Sequence, residues 1–415
     1  MKQSGKIILA DTTLGHIHGG AQTFLAKLAA GLNKIGWSVT ILSEVKPPSD
    51  FLTLIKSEKI NLVSDLWRTP FLMESLRKPL SEWLNQQAPC SFVISASSGA
   101  AWVPLPLLKS SVKTVAISHS DAETFYLPIR HYSQFLDAAI GVSQEICRRF
   151  VSECKVPFDR VHYVPYGVKT ASEEEAQAVF QQSTNGPLRI IFVGRLEQPA
   201  KRVWDVVAVA KKLFVEKIDF VLDVIGDGAE ASEMKAALAR EMSAGFVCFR
   251  GWLPEESVIQ RLRKSEVFLL TSDFEGLPIA LLEAMGNCVL PIVTDLASGN
   301  RELISDRQNG YLVSVGDIDR FTAVIRDCFQ HRSRLLEMRR VAWESGQVFS
   351  VERMVQRYSQ LIGQLMFSDA SHSRPDPVLN YPMMETCRSK YPFWMRRLKV
   401  SSQRLFSAAF RSLMV

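Results

Sequence analysis

Short apolar runs alternate with amphipathic stretches along most of the chain. KIILA (residues 6–10) has the length and β-branching of a buried strand. Ala21, Leu25, Leu28 and Leu32 then recur at spacings of four, three and four up to Gly36, as one face of a helix would. SVTIL, SFVISAS, KTVAISH and DAAIGVS continue the series to about residue 143, and VHYVPYGV closes it. The polar, acidic, glycine-terminated stretch TASEEEAQAVFQQSTNG (170–186) reads as a linker with room for one helix. A second series follows, LRIIFVG, FVLDVIGDG, FVCFRGW, VFLLTS and VLPIVT, separated by helical patterns such as Trp204–Phe214. Alternation of this kind predicts parallel sheets, and two series predict an α/β chain of two Rossmann-like domains facing across a cleft.

Length and composition agree with that division. A chain of 415 residues with 47% hydrophobic and 22% charged residues is globular and too long for one ordinary core. The predicted units are residues 1–168, a linker at 169–186, a second domain at 187–350, a helix at 351–367 read from SVERMVQRYSQLIGQL (350–365) and crossing back to the first domain, and a tail at 368–415. The opening KIILADTTLG has too short an apolar run for a signal peptide or spanning helix, and no run elsewhere approaches the eighteen residues a membrane span requires. Seven scattered cysteines form no C-x-x-C pair, so neither a disulfide framework nor a zinc site is expected, and a reducing cytosol is the simplest compartment. The net charge of +6 is uneven: residues 388–415 carry seven Lys or Arg and no acid, leaving 42 basic against 43 acidic groups in the rest.

Open parallel sheets bind ligands beyond the carboxyl ends of their strands, so the loops after the strands hold the candidate chemistry. GHIHGGAQ puts Gly19 and Gly20 directly before a helix, where bare backbone and unpaired amides suit an anion; a plain tight turn would use the same residues. RLEQPAKR puts Arg195 at a strand end and Lys201 six residues on, cations suited to a diphosphate and equally to a solvated surface. FEGLPIALLEAMG (274–286) places Glu275 in the loop before a helix that Pro278 can open, and Glu283 a turn and a half inside it. The helix-start amides at 276–280 attract phosphate while the two carboxylates repel it, so the acids suit neutral hydroxyls of a sugar or ribose. The competing reading is an acid favouring the helix dipole plus one exposed Glu.

Taken in order, GGAQTFLAKLAAGL, VPYGV, VGRLEQPAKR, VIGDG, FEGLPIALLEAMGNCVLPIVT, SGNRELI and NGYLV resemble a family-four retaining glycosyltransferase of the GT-B class, over roughly residues 5–365. The resemblance implies an enzyme that moves a sugar from a nucleotide-sugar co-substrate with retained anomeric configuration and no cofactor or bound metal. It makes residues 1–168 the acceptor side and 187–350 the donor side. Arg195 and Lys201 match the pair that neutralises the leaving diphosphate. Glu275 matches the acid near the transferred sugar, Glu283 the one on the nucleotide ribose. Gly276 and Leu277 would offer backbone amides to sugar and phosphate, Gly20 would reach across to the diphosphate, and His119 falls where relatives often have a histidine touching the donor sugar. With Glu275, these make Arg195, Lys201 and His119 the expected catalytic set and Gly19, Gly20, Gly276, Leu277 and Glu283 the expected donor-binding set. No residue need act as nucleophile; the leaving phosphate oxygen takes the acceptor proton.

Some positions depart from the family pattern. Gln22 stands where an acid is frequent, Tyr166 where Asn often precedes a glycine, and SGNREL is a looser version of a Gly-rich stretch with Glu302 retained. Trp252 and Leu253 fall near where the base would lie. In the tail, SDASHSRPDP reads as a flexible linker. Residues 394–414, if helical, would put Trp394, Met395, Leu398, Leu405, Phe406, Ala409, Phe410 and Leu413 on one face and Arg396, Arg397, Arg404 and Arg411 opposite, with Ser402 interrupting the stripe. That pattern suits an anionic membrane surface and equally a helix docked on the body or a disordered end. The expected setting is cytoplasmic, on the inner face of the membrane if the tail binds it, with a glycan or lipid-linked acceptor in cell-surface polysaccharide or lipopolysaccharide biosynthesis. A GT-B sugar epimerase and a non-catalytic nucleotide-sugar-binding protein are the alternatives. Nucleic-acid binding is not expected, because the basic charge sits in a short tail without recognition motifs.

Overall fold

In a computed structural model, which describes residues 5–11, 20–43, 47, 49–64, 73–182, 185–367, 375, 378, 381, 382 and 384, the chain builds two parallel sheets. The first contains β1 (Lys6–Asp11), β2 (Ser38–Ser43), β3 (Asn61–Val63), β4 (Cys90–Ser95), β5 (Val112–Ser118), β6 (Ala138–Gly141) and β7 (Val161–Tyr163), in the order β3-β2-β1-β4-β5-β6-β7. The second contains β8 (Leu188–Val193), β9 (Phe220–Ile225), β10 (Val247–Gly251), β11 (Val267–Leu270), β12 (Leu290–Thr294) and β13 (Tyr311–Val313), in the order β10-β9-β8-β11-β12-β13. In each the order reverses beside the first strand, between β1 and β4 and between β8 and β11, which opens a crevice at the carboxyl edge. Strands covered on both faces, such as β4, β6, β11 and β12, are buried at every position, which is why they read as continuous apolar runs.

The helix Ile279–Gly286 answers for its odd composition by being packed from both sides. Leu281, Leu282, Ala284 and Met285 are fully buried and join a hydrophobic cluster that runs from the first lobe into the second, where it includes Ile191, Phe268 and Val293, while a separate cluster within the second lobe gathers residues such as Phe192, Phe220 and Phe321. Glu283 therefore lies in an interior position, 8% exposed, which excludes the exposed-acid reading. Pro278 caps this helix rather than opening its first turn.

The segment at 169–186 is not an open tether. Ser172 and Glu175 form a capping box that starts a helix at Glu173–Phe180, and Ala176, Val179 and Phe180 pack with Cys288 and the half-buried Trp343. The return helix Val351–Phe367 lies on the first lobe: Trp37 Nε1 donates to Ser359 Oγ at 2.8 Å, and Val355 fills the space above Gly31. The two crossings meet where Val168 bridges Ser350; a Cβ on Gly167 would lie 2.6 Å from Val351 Cα, so only glycine passes there. Farther on, Tyr381 packs among His131, Tyr132 and Phe135 of the first lobe. Gly19, the side chain of Gln22, most of the 368–377 stretch and the amphipathic pattern of 394–414 lie outside the described residues. Among the described residues no helix is long and apolar enough to cross a membrane.

Candidate active site

The carboxyl edge of the second sheet is built by backbone contact between loops. Gly226, with φ of +135°, follows β9, and a Cβ there would lie 1.9 Å from the carbonyl oxygen of Gly194 after β8. Leu196 N donates to Asp227 O at 2.9 Å in the same place. The two glycines of VIGDG, Gly226 and Gly228, thus bring this loop against the one after β8 in a way that no side chain would allow.

Because β8 and β11 are hydrogen-bonded neighbours, their following loops also meet. Thr271 Oγ1 donates to the carbonyl of Lys201 at 2.9 Å, and Asp273 N donates to Ala200 O at 2.9 Å. This sets Lys201 Nζ 2.6 Å from Glu275 Oε1, and the Ser272 hydroxyl donates to the same carboxylate oxygen at 2.6 Å. Both side chains of the pair are largely shielded, at 19% and 11% exposure, so water screens them little. Arg195 is placed differently: its guanidinium is more than half exposed and pairs with Glu197 at 2.8 Å. The structure therefore joins Lys201 to Glu275 and leaves Arg195 at the rim. Ser272 was not singled out in the sequence; the signal available was a pair of hydroxyl residues directly after a buried strand.

The first lobe closes onto this edge. Gly276 is buried, and a Cβ on it would lie 2.4 Å from the backbone oxygen of His119, just past β5. Leu277 is 3% exposed beneath it. A Cβ on Gly20, at the start of the helix Gly20–Lys34, would lie 2.9 Å from Ile279 Cδ1 at the start of the helix Ile279–Gly286, so two helix N-termini converge from opposite lobes. Converging helix starts reinforce one another as an anion site.

His119 is held by aromatic neighbours. Its Nδ1 lies 2.7 Å from Tyr166 Oη, the two rings are nearly parallel, and Phe24 stands edge-on to both with centroids 5.1 Å away. Burial lowers its pKa to about 4 against the opposing pull of Asp11, so the ring is neutral near pH 7. Glu283 is shifted in the other sense. Burial raises it to about 7, Lys27 works against the rise and Glu255 adds to it. Lys27 and Glu255 themselves form a 2.6 Å ion pair between the lobes.

Further contacts across the lobes were not foreseen in this role. Ser143 Oγ lies 2.9 Å from Ser298 Oγ, and Ser298 Oγ donates to Gly276 O at 2.9 Å. Glu302, noted in the sequence only as a retained acid, accepts from the backbone amides of Gln144 and Glu145 at 2.9 and 3.1 Å, at the start of the helix Gln144–Ser152. Trp252, beyond β10, is half exposed.

The family model described as Glycosyl transferases group 1 matches residues 173–345, and the one described as Glycosyltransferase Family 4 matches residues 18–172. The lipopolysaccharide 1,6-galactosyltransferase of Escherichia coli K12 is 30% identical over 263 residues, covering 59% of this chain and 67% of that protein. The protein of the same name from Salmonella typhimurium LT2 is 32% identical over 201 residues, 46% of this chain and about half of that protein, at 51%. The crystal structure of Anabaena HepE in complex with UDP and glucose superposes with a TM-score of 0.69 at 17% identity, covering 87% of this chain and 100% of that one. At that identity the structural likeness bears on fold alone, and the fold it supports is the two-lobed GT-B arrangement expected from the sequence.

Proposed function

From the premise that this chain belongs to the group 1 glycosyltransferases, we propose that it is a retaining, metal-independent transferase that moves a sugar from a UDP-sugar to a glycan or lipid-linked acceptor in lipopolysaccharide or polysaccharide biosynthesis. The observation that carries this reading is the shielded Lys201–Glu275 pair at the converging helix starts, with neutral His119 against Gly276. The UDP nucleotide is supported by the ligand of the HepE structure, and hexose transfer by the named activity of the two galactosyltransferases.

In this reading the acceptor hydroxyl oxygen bonds to the anomeric carbon as the bond from that carbon to the diphosphate oxygen breaks, and the acceptor proton passes to the leaving oxygen. Lys201, with the two helix starts and Arg195 at the rim, stabilises the negative charge that develops on the diphosphate, the task a metal would otherwise perform. Glu275, fixed by Lys201 and the Ser272 hydroxyl, receives hydroxyls of the sugar. Glu283 receives ribose hydroxyls, and the backbone at Gly20, Gly276 and Leu277 lets the diphosphate approach closely. His119 contacts the sugar from the first lobe. All of these roles are electrostatic and positional.

The test is turnover of UDP-hexoses in the presence of EDTA, with product anomer read by NMR. Lys201→Ala and Glu275→Ala should each lower turnover by about 10²–10³-fold with the circular dichroism spectrum unchanged. Activity within a few-fold of the parent would remove those roles, and sugar conversion without any acceptor would favour an epimerase. Membrane association is proposed through the basic tail: the intact chain should float with anionic liposomes and a chain ending at Ser368 should not. Equal flotation would remove that reading.

A further inference from the structure

His119 follows β5 by one residue and Tyr166 follows β7 by three, so the two approach from separate loops at the carboxyl edge of the first sheet. Tyr166 is 4% exposed, and its position is set from behind. The next residue, Gly167, is wedged against Val351 and donates its N–H to Met354 Sδ at 3.1 Å, while Phe24 separates the pair from Tyr358. The hydroxyl of Tyr166 has no second hydrogen-bond partner among the described residues. If Nδ1 carried the imidazole proton and the hydroxyl accepted it, the hydroxyl's own proton would be buried unbonded, at a cost. Donation from the hydroxyl to Nδ1 satisfies both groups and leaves the ring proton on Nε2.

We propose that Tyr166 is a positioning residue for His119, its hydroxyl donating to Nδ1 so that the neutral imidazole presents Nε2–H to an oxygen of the sugar nucleotide. The groups acting on the pair are Asp11 at the end of β1, Tyr358 on the return helix and Glu275 from the second lobe. Burial dominates for both, pulling His119 down and pushing the Tyr166 phenol well above its usual range, so neither is charged at pH 7. Asn, the residue expected before this glycine from the family pattern, has a shorter side chain and no ring to lie parallel to the imidazole; Tyr166 therefore gives this chain its own means of fixing His119. The inference rests on the proposed transferase reading for its consequence but not for its geometry.

The test uses the full chain labelled with ¹⁵N-histidine at pH 7, compared with Tyr166→Phe, which keeps the ring packing. The expected result is a single Nε2–H tautomer for His119 in the parent and movement toward the Nδ1–H form in the variant. Turnover of the UDP-sugar should fall roughly ten-fold in Tyr166→Phe, with no further fall when the change is made in a His119→Ala background. An Nδ1–H tautomer in the parent, an unchanged tautomer in the variant, or an undiminished loss in the His119→Ala background would overturn the proposal. Should no nucleotide sugar be bound or turned over by the parent, the transferase reading fails while the tautomer comparison still decides the Tyr166–His119 relation.

Discussion

Glu275 and Glu283 are eight residues apart and are held in opposite ways. Glu275 is met by an ammonium group and a hydroxyl, whereas the Glu283 carboxyl, whose backbone carbonyl alone accepts from Asn287 Nδ2 at 2.9 Å among the described residues, is raised to about 7 by burial. If Glu283 accepts ribose hydroxyls as a carboxylate, binding requires it ionised, and affinity must rise with pH. Lys27 and Glu255, the charged groups acting on it, form their own ion pair beside it. UDP affinity measured by calorimetry should therefore increase by about ten-fold between pH 6 and pH 8, and Glu283→Gln should flatten that dependence. A parent profile that is flat or falls over this range contradicts the role. At this scale the sequence was informative about Glu275 and Lys201, whose places follow from being just past strands. It was silent on Ser272 and on the burial of Glu283, which depend on what packs from the other lobe.

Helices and strands carry the site through their ends. The helix Gln144–Ser152 is capped twice, by Ser143 from its own lobe and by the Glu302 carboxylate from the other, so a single helix start serves as a joint between lobes. Glu302→Ala should leave the helix formed, since Ser143 Oγ still accepts from Ile146 N. It should weaken UDP binding by about five-fold by disfavouring lobe contact. An unchanged affinity would show that the contact does not contribute to closure. The long apolar runs were legible as strands because burial on both faces demands them. The three-residue edge strands β3 and β13 were not, because neither run was long enough to show a strand pattern, whereas β7, equally short, was read from the longer run VHYVPYGV around it. The helix Glu173–Phe180 was foreseen as part of a linker; its apolar face has its partner in Cys288 and Trp343, more than a hundred residues away in sequence.

The whole molecule is two lobes whose carboxyl edges touch at glycines. The close approach of Gly276 to the His119 carbonyl makes a side chain there incompatible with this arrangement, while leaving the interior of each lobe untouched. Gly276→Ala should enlarge the radius of gyration seen by small-angle scattering and lower turnover by at least about 10²-fold, with little change in melting temperature. Identical scattering and turnover would mean that the observed contact is not the working one. The two-domain architecture was readable from the repeated strand–helix pattern; the contacts between the lobes, the backbone approach at Gly276 and side-chain pairs such as Lys27–Glu255 and Ser143–Ser298, were not, since they join residues far apart in sequence. The central claim is that a UDP-sugar binds between these lobes through Lys201 and Glu275 without a metal. The measurement that tests it most directly is a thermal-unfolding titration of the full chain with UDP-galactose, UDP-glucose and UDP-N-acetylglucosamine in EDTA, repeated on Lys201→Ala. The account predicts that at least one of them raises the melting temperature of the parent and that the rise is lost in the variant. No rise with any of them, or one that persists in Lys201→Ala, would contradict it.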